Sequence, residues 1–330
     1  MKKIIQFLKN NSVFLITLIL FYLILNIKLP YYIDGPGGLI DISDRYTIEN
    51  EYKGNGSINM TYVSEYKATI ASYLVAKFNK NLDLYKKEEI IPSNESEKEN
   101  DIRGEIMLKE ASDNAVIVAY NKANKECIIK NQKIIVTYID NEANTNLKVG
   151  DEIVSIDSNI VTSVNEVKEI FNKYNKNQKI IFKVISNNKE YERYGYINED
   201  KIVGILISYK RDLETNPKLI VKYGSNEYGP SGGLMTTLAI YNKLIPEDIT
   251  KGYIIAGTGT IEEDGSVGEI DGIKYKLKGA VKNKADIFFA PSGDNYKEAQ
   301  KLKEKNNYDI DVVEVKTIDD AINYLKNKRD

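Results

Sequence analysis

Gly229-Pro230-Ser231-Gly232-Gly233 runs directly into Leu234-Met235-Thr236-Thr237-Leu238-Ala239-Ile240-Tyr241-Asn242-Lys243. The second run is apolar on most of its faces, which predicts a helix buried all round. Gly224 and Gly229 loosen the approach and Pro230 fixes the entry. Ser231 therefore falls where a loop becomes a helix. Backbone N–H groups with no intrahelical partner surround such a position, and the positive end of the helix dipole lies behind it. Those are the parts that hold a developing oxyanion. Gly232 and Gly233 place no side chain in the way of a carbonyl. The plain structural alternative is that Ser231 is an ordinary N-cap, a position serine favours.

Composition narrows what such a serine can do. The 330 residues contain no histidine and a single cysteine, Cys127. A Ser-His-Asp triad and a His-ligated zinc are excluded within the chain, as is an internal disulfide. A nucleophilic Ser231 needs a lysine, a carboxylate or a backbone amine as its base, and Ser–Lys pairs are a known form of this logic. The formal net charge of −2 gives no field that selects nucleic acid. No G-x-x-x-x-G-K-[ST] is present, so the sequence carries no phosphate-binding loop and no ATPase module of its own. No metal or cofactor motif occurs.

Three linked stretches, GPSGGLMTTLAIYNKL (229–244), AGTGTIEEDGSVGEIDGIKYKLKGA (256–280) and FFAP (288–291), resemble the proteolytic domain of the Lon family of serine proteases. In that family G-P-S-[AG]-G holds the nucleophile and a downstream G-x-V-x-x-I-x-G-[IL]-K holds the lysine base. The resemblance covers roughly 200–330 and implies Ser231 as nucleophile and Lys274, 43 positions later, as general base. Gly229, Pro230 and Gly232 would support the oxyanion, and Thr258 or Thr260 is a candidate to hold the lysine amine. Many ATP-dependent relatives have an acidic residue three before the serine; here that position is Tyr228, with Glu227 one further back. Read from the residues alone, Ile273, Leu277, Ala280 and Val281 form an apolar stripe, and Lys274 lies in the first turn of that helix. A lysine serves as base near neutrality when burial or a nearby positive charge lowers its pKa.

The rest of the chain adds three blocks. Residues 10–27 carry no charge and 13–25 (VFLITLILFYLIL) are almost wholly apolar. With Leu29, Pro30, Tyr31 and Tyr32 this predicts a membrane span, preceded by Lys2, Lys3 and Lys9 and lacking a small-x-small cleavage site. The positive flank puts the N-terminus in the cytoplasm and the bulk of the chain outside. Asp34-Gly35-Pro36-Gly37-Gly38 reads as a turn-rich exit, 57–63 as a strand, 68–78 as an amphipathic helix, 90–101 as a loop and 105–123 as a helix. Next comes a strand at 133–139, then Leu147-Lys148-Val149-Gly150-Asp151-Glu152-Ile153, a helix at 163–174 and a strand at 179–185. That order is similar to a bacterial PDZ domain. Such a domain binds a peptide as an added strand. The stretch Lys130-Asn131-Gln132 before it lacks a Gly-rich carboxylate-binding loop. Beyond it, alternating strands and helices from 201 to 326 argue an α/β domain with a mixed sheet.

The expected architecture is an α/β (α+β) multidomain chain: a transmembrane anchor at 1–33, a connecting α/β region at 34–126, a PDZ-like domain at 127–197 and a Lon-type proteolytic domain at 198–330. The layout resembles the bacterial membrane-anchored PDZ–Lon serine proteases. That resemblance implies an ATP-independent endopeptidase acting on protein or peptide substrates, with no cofactor, no metal and no nucleic acid. Because Lon-type domains often assemble as rings, a homo-oligomer is an option. The rival from another class is a non-catalytic membrane adaptor that binds protein tails.

Overall fold

The computed structural model describes residues 6, 10–93, 95–224 and 227–328. In chain order the elements are α1 (Ser12–Leu25), β1 (Lys28–Asp41), β2 (Tyr46–Ile48), β3 (Ser57–Thr69), α2 (Ile70–Phe78), β4 (Asp83–Lys86), α3 (Lys87–Ile90), α4 (Glu97–Lys122) and β5 (Glu126–Ile139). They continue with β6 (Glu152–Ile156), β7 (Asn159–Ile160), α5 (Val164–Asn172), β8 (Lys179–Ser186), β9 (Lys189–Tyr196), β10 (Ile205–Asn216) and β11 (Leu219–Val221). The last are α6 (Gly233–Leu244), β12 (Ile254–Gly257), α7 (Ile273–Lys282), β13 (Ile287–Pro291), α8 (Asp294–Asn306), β14 (Asp311–Val315) and α9 (Ile318–Asn327). The chain divides into two units, one of Met1–Gly37 with Val63–Ile91 and one of Gly38–Tyr62 with Pro92–Asp330.

In the smaller unit β1 and β4 pair antiparallel, Tyr31 against Lys86 through Asp34 against Asp83. Ile33, Ala68 and Ala76 form its core with Tyr73, Leu82 and Leu84 packed around them. Helix α2 starts at a capping box, Thr69 accepting from the Ser72 N–H and Ser72 accepting from the Thr69 N–H. The glycines at 35 and 37 do not make the expected turn. They lie inside β1, where Gly35 packs so close to Leu82 that a Cβ would sit 2.6 Å from it.

The structure does not bear out the expected membrane span. Among the described residues no helix is long and apolar enough to cross a membrane. The apolar run forms α1, which is 14 residues long, about 21 Å at 1.5 Å per residue against a hydrocarbon thickness of about 30 Å. Leu29, Pro30, Tyr31 and Tyr32, counted into the span from sequence, are strand instead. A single-pass membrane protein with its N-terminus in the cytoplasm and its bulk outside is thus not supported. Lys2, Lys3 and Lys9, the proposed positive flank, lie outside the described residues.

The larger unit is built around α6. Eleven of its twelve residues are buried, as the all-round apolar pattern requires. The 254–257 strand β12 pairs parallel with β13 on one side and, on the other, with the start of β3 at Ser57–Met60; β13 pairs parallel with β14. Leu234, Met235, Leu238 and Ile240 of α6 pack with Ile255, Phe289, Val315 and the Ala115, Val116, Ala119 face of α4. Helix α4 is longer at its start than the sequence reading: it begins at Glu97 behind a Ser96/Glu99 capping box, inside the stretch expected to be loop.

The same unit contains an antiparallel sheet of order β10-β5-β6-β8-β9. Its core holds Ile134, Val136, Ile153, Ile156, Phe182 and Val184, with Val167, Ile170 and Phe171 contributed by α5. The Gly-Asp turn read from sequence is made by Gly150 at φ +92° and by Asp151, whose buried carboxylate accepts from the Lys148 N–H at 2.9 Å and pairs with Arg193. Lys130, Asn131 and Gln132 lie within β5 rather than in a loop, with Asn131 and Gln132 in register with Asp212 and Arg211 of β10.

Candidate active site

The site begins at the Gly229–Gly233 turn. Gly229 adopts φ +82°, where L side chains are strained, and its N–H donates to Gly104 O of α4 at 3.0 Å. Gly104 is a mid-helix glycine with a packing reason: a Cβ there would meet Tyr228 at 3.0 Å. Gly232, not Ser231, is the N-cap of α6, and no side chain caps the helix. The ordinary structural use of Ser231 therefore does not apply, since its hydroxyl is not engaged in capping. The N–H of Gly233 donates to Pro230 O and that of Leu234 to Gly259 O. Among the described residues no backbone bond uses the N–H of Ser231 or of Gly232.

The loop after β12 closes on this turn. The Ser231 carbonyl accepts from the Gly259 N–H at 2.9 Å and from the Thr258 hydroxyl at 3.0 Å. Thr258 is fully buried, and its Oγ1 accepts from Lys276 Nζ at 3.0 Å. Because the threonine has one proton and donates it to the Ser231 carbonyl, it can only accept from the lysine. The amine thus donates one N–H to Thr258, and in its neutral form its lone pair is left for another proton donor. Lys276 is 4% exposed. Burial pushes its pKa down to about 8, partly opposed by the Asp271 carboxylate.

Lys274, the expected base, is half-buried, with its Nζ 4.7 Å from the Tyr275 ring centroid. Two residues along a helix turn the side chain by about 200°, so Lys274 and Lys276 project from nearly opposite sides of α7. The structure brings Thr258 and Lys276 together beside Ser231, and it is Lys276 that has the buried, depressed-pKa amine. The sequence pattern does not separate the two lysines: each flanks the Ile273, Leu277, Ala280 and Val281 stripe, Lys274 beside Val281 and Lys276 beside Ala280. The other threonine has a different task. Thr260 Oγ1 accepts from the Gly268 N–H at 3.1 Å and closes the 260–268 loop. That loop contains the turn expected at its Asp-Gly pair, with the Gly265 N–H donating to Glu262 O at 2.9 Å.

Glu227, a candidate for carboxylate assistance, is paired with Arg45 and accepts from the Gly224 N–H at 3.0 Å. Gly233 is needed for close approach, because a Cβ would come within 2.9 Å of the Ile261 backbone nitrogen. Gly232 faces only the flexible Met60 side chain. Among the described residues no group of His, Cys, Asp or Glu is arranged to hold a metal ion.

Residues 223–327, about a third of the chain, match the family model of the Lon protease (S16) C-terminal proteolytic domain. The match includes Ser231, Thr258, Lys274 and Lys276, and it supports a serine peptidase of family S16 in this stretch. No curated protein matches the chain.

Proposed function

We propose that the chain is an ATP-independent serine endopeptidase in which Ser231 is the nucleophile and Lys276, rather than Lys274, is the general base. The observation that carries this is the buried Lys276 amine, hydrogen-bonded through Thr258 to the carbonyl of Ser231 itself and titrating at about 8. Neutral Lys276 takes the Ser231 Oγ proton as Oγ attacks a peptide carbonyl carbon. The N–H groups of Ser231 and Gly232 donate to the oxyanion that forms, in a turn whose other donors are already engaged. The Lys276 ammonium then gives its proton to the leaving amine. Water attacks the acyl-enzyme ester with Lys276 again as base, releasing the second product and restoring Ser231.

The sheet and helix spanning 127–197 would present or gate the substrate, in keeping with their PDZ-like order. The ATP-independence rests on the missing phosphate-binding motif. The test is cleavage of an unfolded protein such as casein, without ATP, by wild type and by Ser231→Ala. Wild-type cleavage that disappears in the variant is the expected result. An inert wild type that still binds peptides would favour the adaptor reading instead.

A further inference from the structure

Arg211 lies on β10, in the antiparallel sheet, and is 5% exposed. Its guanidinium serves three elements. Nε donates to Gln132 Oε1 on β5 at 3.0 Å, Nη1 donates to Asn114 Oδ1 on α4 at 2.8 Å, and Nη2 pairs with Glu263 in the loop after β12. The group also lies 4.6 Å from the Tyr209 ring centroid. Helix α4 fixes the strand on either side of it: the Tyr209 N–H donates to Glu110 Oε1 at 3.1 Å, and Lys109 Nζ donates to Arg211 O at 3.2 Å. Asn114 extends the connection, its Nδ2 donating to Ile261 O at 3.0 Å.

Ile261 and Glu263 belong to the loop that begins with Thr258 and Gly259. Those two residues hold the Ser231 carbonyl, and Ile261 packs against Gly233. One buried side chain of the antiparallel sheet thus grips the loop directly at Glu263 and, through Asn114, at Ile261. A planar fork with fixed donors suits that task, and lysine, a point charge, cannot reproduce it.

We propose that Arg211 is a positioning residue: it holds the 258–263 loop, and with it the Thr258 hydroxyl and the Ser231 carbonyl, in the arrangement that makes Ser231 reactive. The antiparallel sheet then acts on turnover at Ser231 through this side chain. The proposal rests on the reading of Ser231 as nucleophile, so its test needs one measurement that does not depend on activity.

The full chain is compared with Arg211→Lys and with Glu263→Gln. The Glu263 side chain is 49% exposed, so its variant keeps the test open if Arg211→Lys does not fold. Amide hydrogen exchange is measured over 258–263, with the β8–β9 hairpin as control, together with the rate at which a fluorophosphonate labels Ser231. Expected is faster exchange over 258–263 alone, and labelling slowed about tenfold or more, the penalty of a small misplacement. Unchanged exchange over 258–263 overturns the proposal whether or not Ser231 reacts. Faster exchange with undiminished labelling overturns it as well. A wild type that takes up no label refutes the nucleophile reading instead, and the exchange result alone then decides whether Arg211 holds the loop.

Discussion

Replacing Lys276 by methionine should stabilise the fold at neutral pH while removing activity. Burial lowers the Lys276 pKa from an ordinary value near 10.5 to about 8. That difference corresponds to about 3 kcal/mol at 1.36 kcal/mol per pKa unit. Below about pH 8 the amine is charged in both folded and unfolded chains, so the full cost of burying the charge is present there. Between about 8 and 10.5 the unfolded chain binds more protons than the folded one, so wild-type stability rises with pH across that window. Methionine has similar reach and no charge, and it forfeits the hydrogen bond to Thr258, worth about 1 kcal/mol. Lys276→Met should therefore be more stable than wild type by about 2 kcal/mol at pH 7, with the gap closing and reversing towards pH 10. Urea unfolding of both proteins at pH 7, 8.5 and 10, the range that brackets a tuned and an ordinary lysine, reads the difference as a shift in midpoint at constant slope. The difference between the two proteins cancels titrations they share. A methionine variant less stable at pH 7, or a gap that does not change with pH, would refute the claim that a charge is held in a desolvated site.

Ser231→Ala should abolish peptide cleavage and leave the unfolding free energy within about 0.5 kcal/mol of wild type, because the hydroxyl caps no helix. Thr258→Val keeps the shape but removes both hydroxyl bonds, so peptide turnover should fall roughly 100-fold. The midpoint of its pH–rate profile should also move below 8, since the Lys276 ammonium loses an acceptor. Gly233→Ala should cost about 1–3 kcal/mol in urea unfolding, because the Ile261 backbone cannot move aside. Gly232→Ala, which meets only the Met60 thioether, should cost much less.

Much of the site was legible because its signals are local. The glycines at 229, 232 and 233 and the all-round apolar run after them identify a buried helix with an open start, and Ser231 sits there. The proposed base lies two residues beyond the lysine that the motif spacing implied, because burial and the bond to Thr258 depend on the fold and not on the spacing. The stripe of Ile273, Leu277, Ala280 and Val281 does not choose between them, since each lysine lies beside one of its edges. A local signal was available at Ser96 and Glu99, whose capping box moves the start of α4 to Glu97. Other features had no local trace. Ser57–Met60 pairs beside Ile254–Gly257, a parallel contact nearly 200 residues apart in sequence. Hydrophobicity gave no length limit to the N-terminal run, because Leu29, Tyr31 and Tyr32 suit a strand as well as a helix. The strand begins at Lys28. The role of Arg211 depends on side chains from four separate segments meeting, which no spacing encodes.

The central claim is that a neutral Lys276 activates Ser231. Its most direct test is the rate of fluorophosphonate labelling at Ser231 between about pH 6 and pH 10 in wild type, Lys274→Arg and Lys276→Arg. Wild type and Lys274→Arg should rise about tenfold per pH unit and level off above about 8, as expected for one titrating base. Lys276→Arg should stay near background throughout, because arginine does not give up its proton in this range. Labelling lost in Lys274→Arg and retained in Lys276→Arg would contradict the assignment and return the base to Lys274.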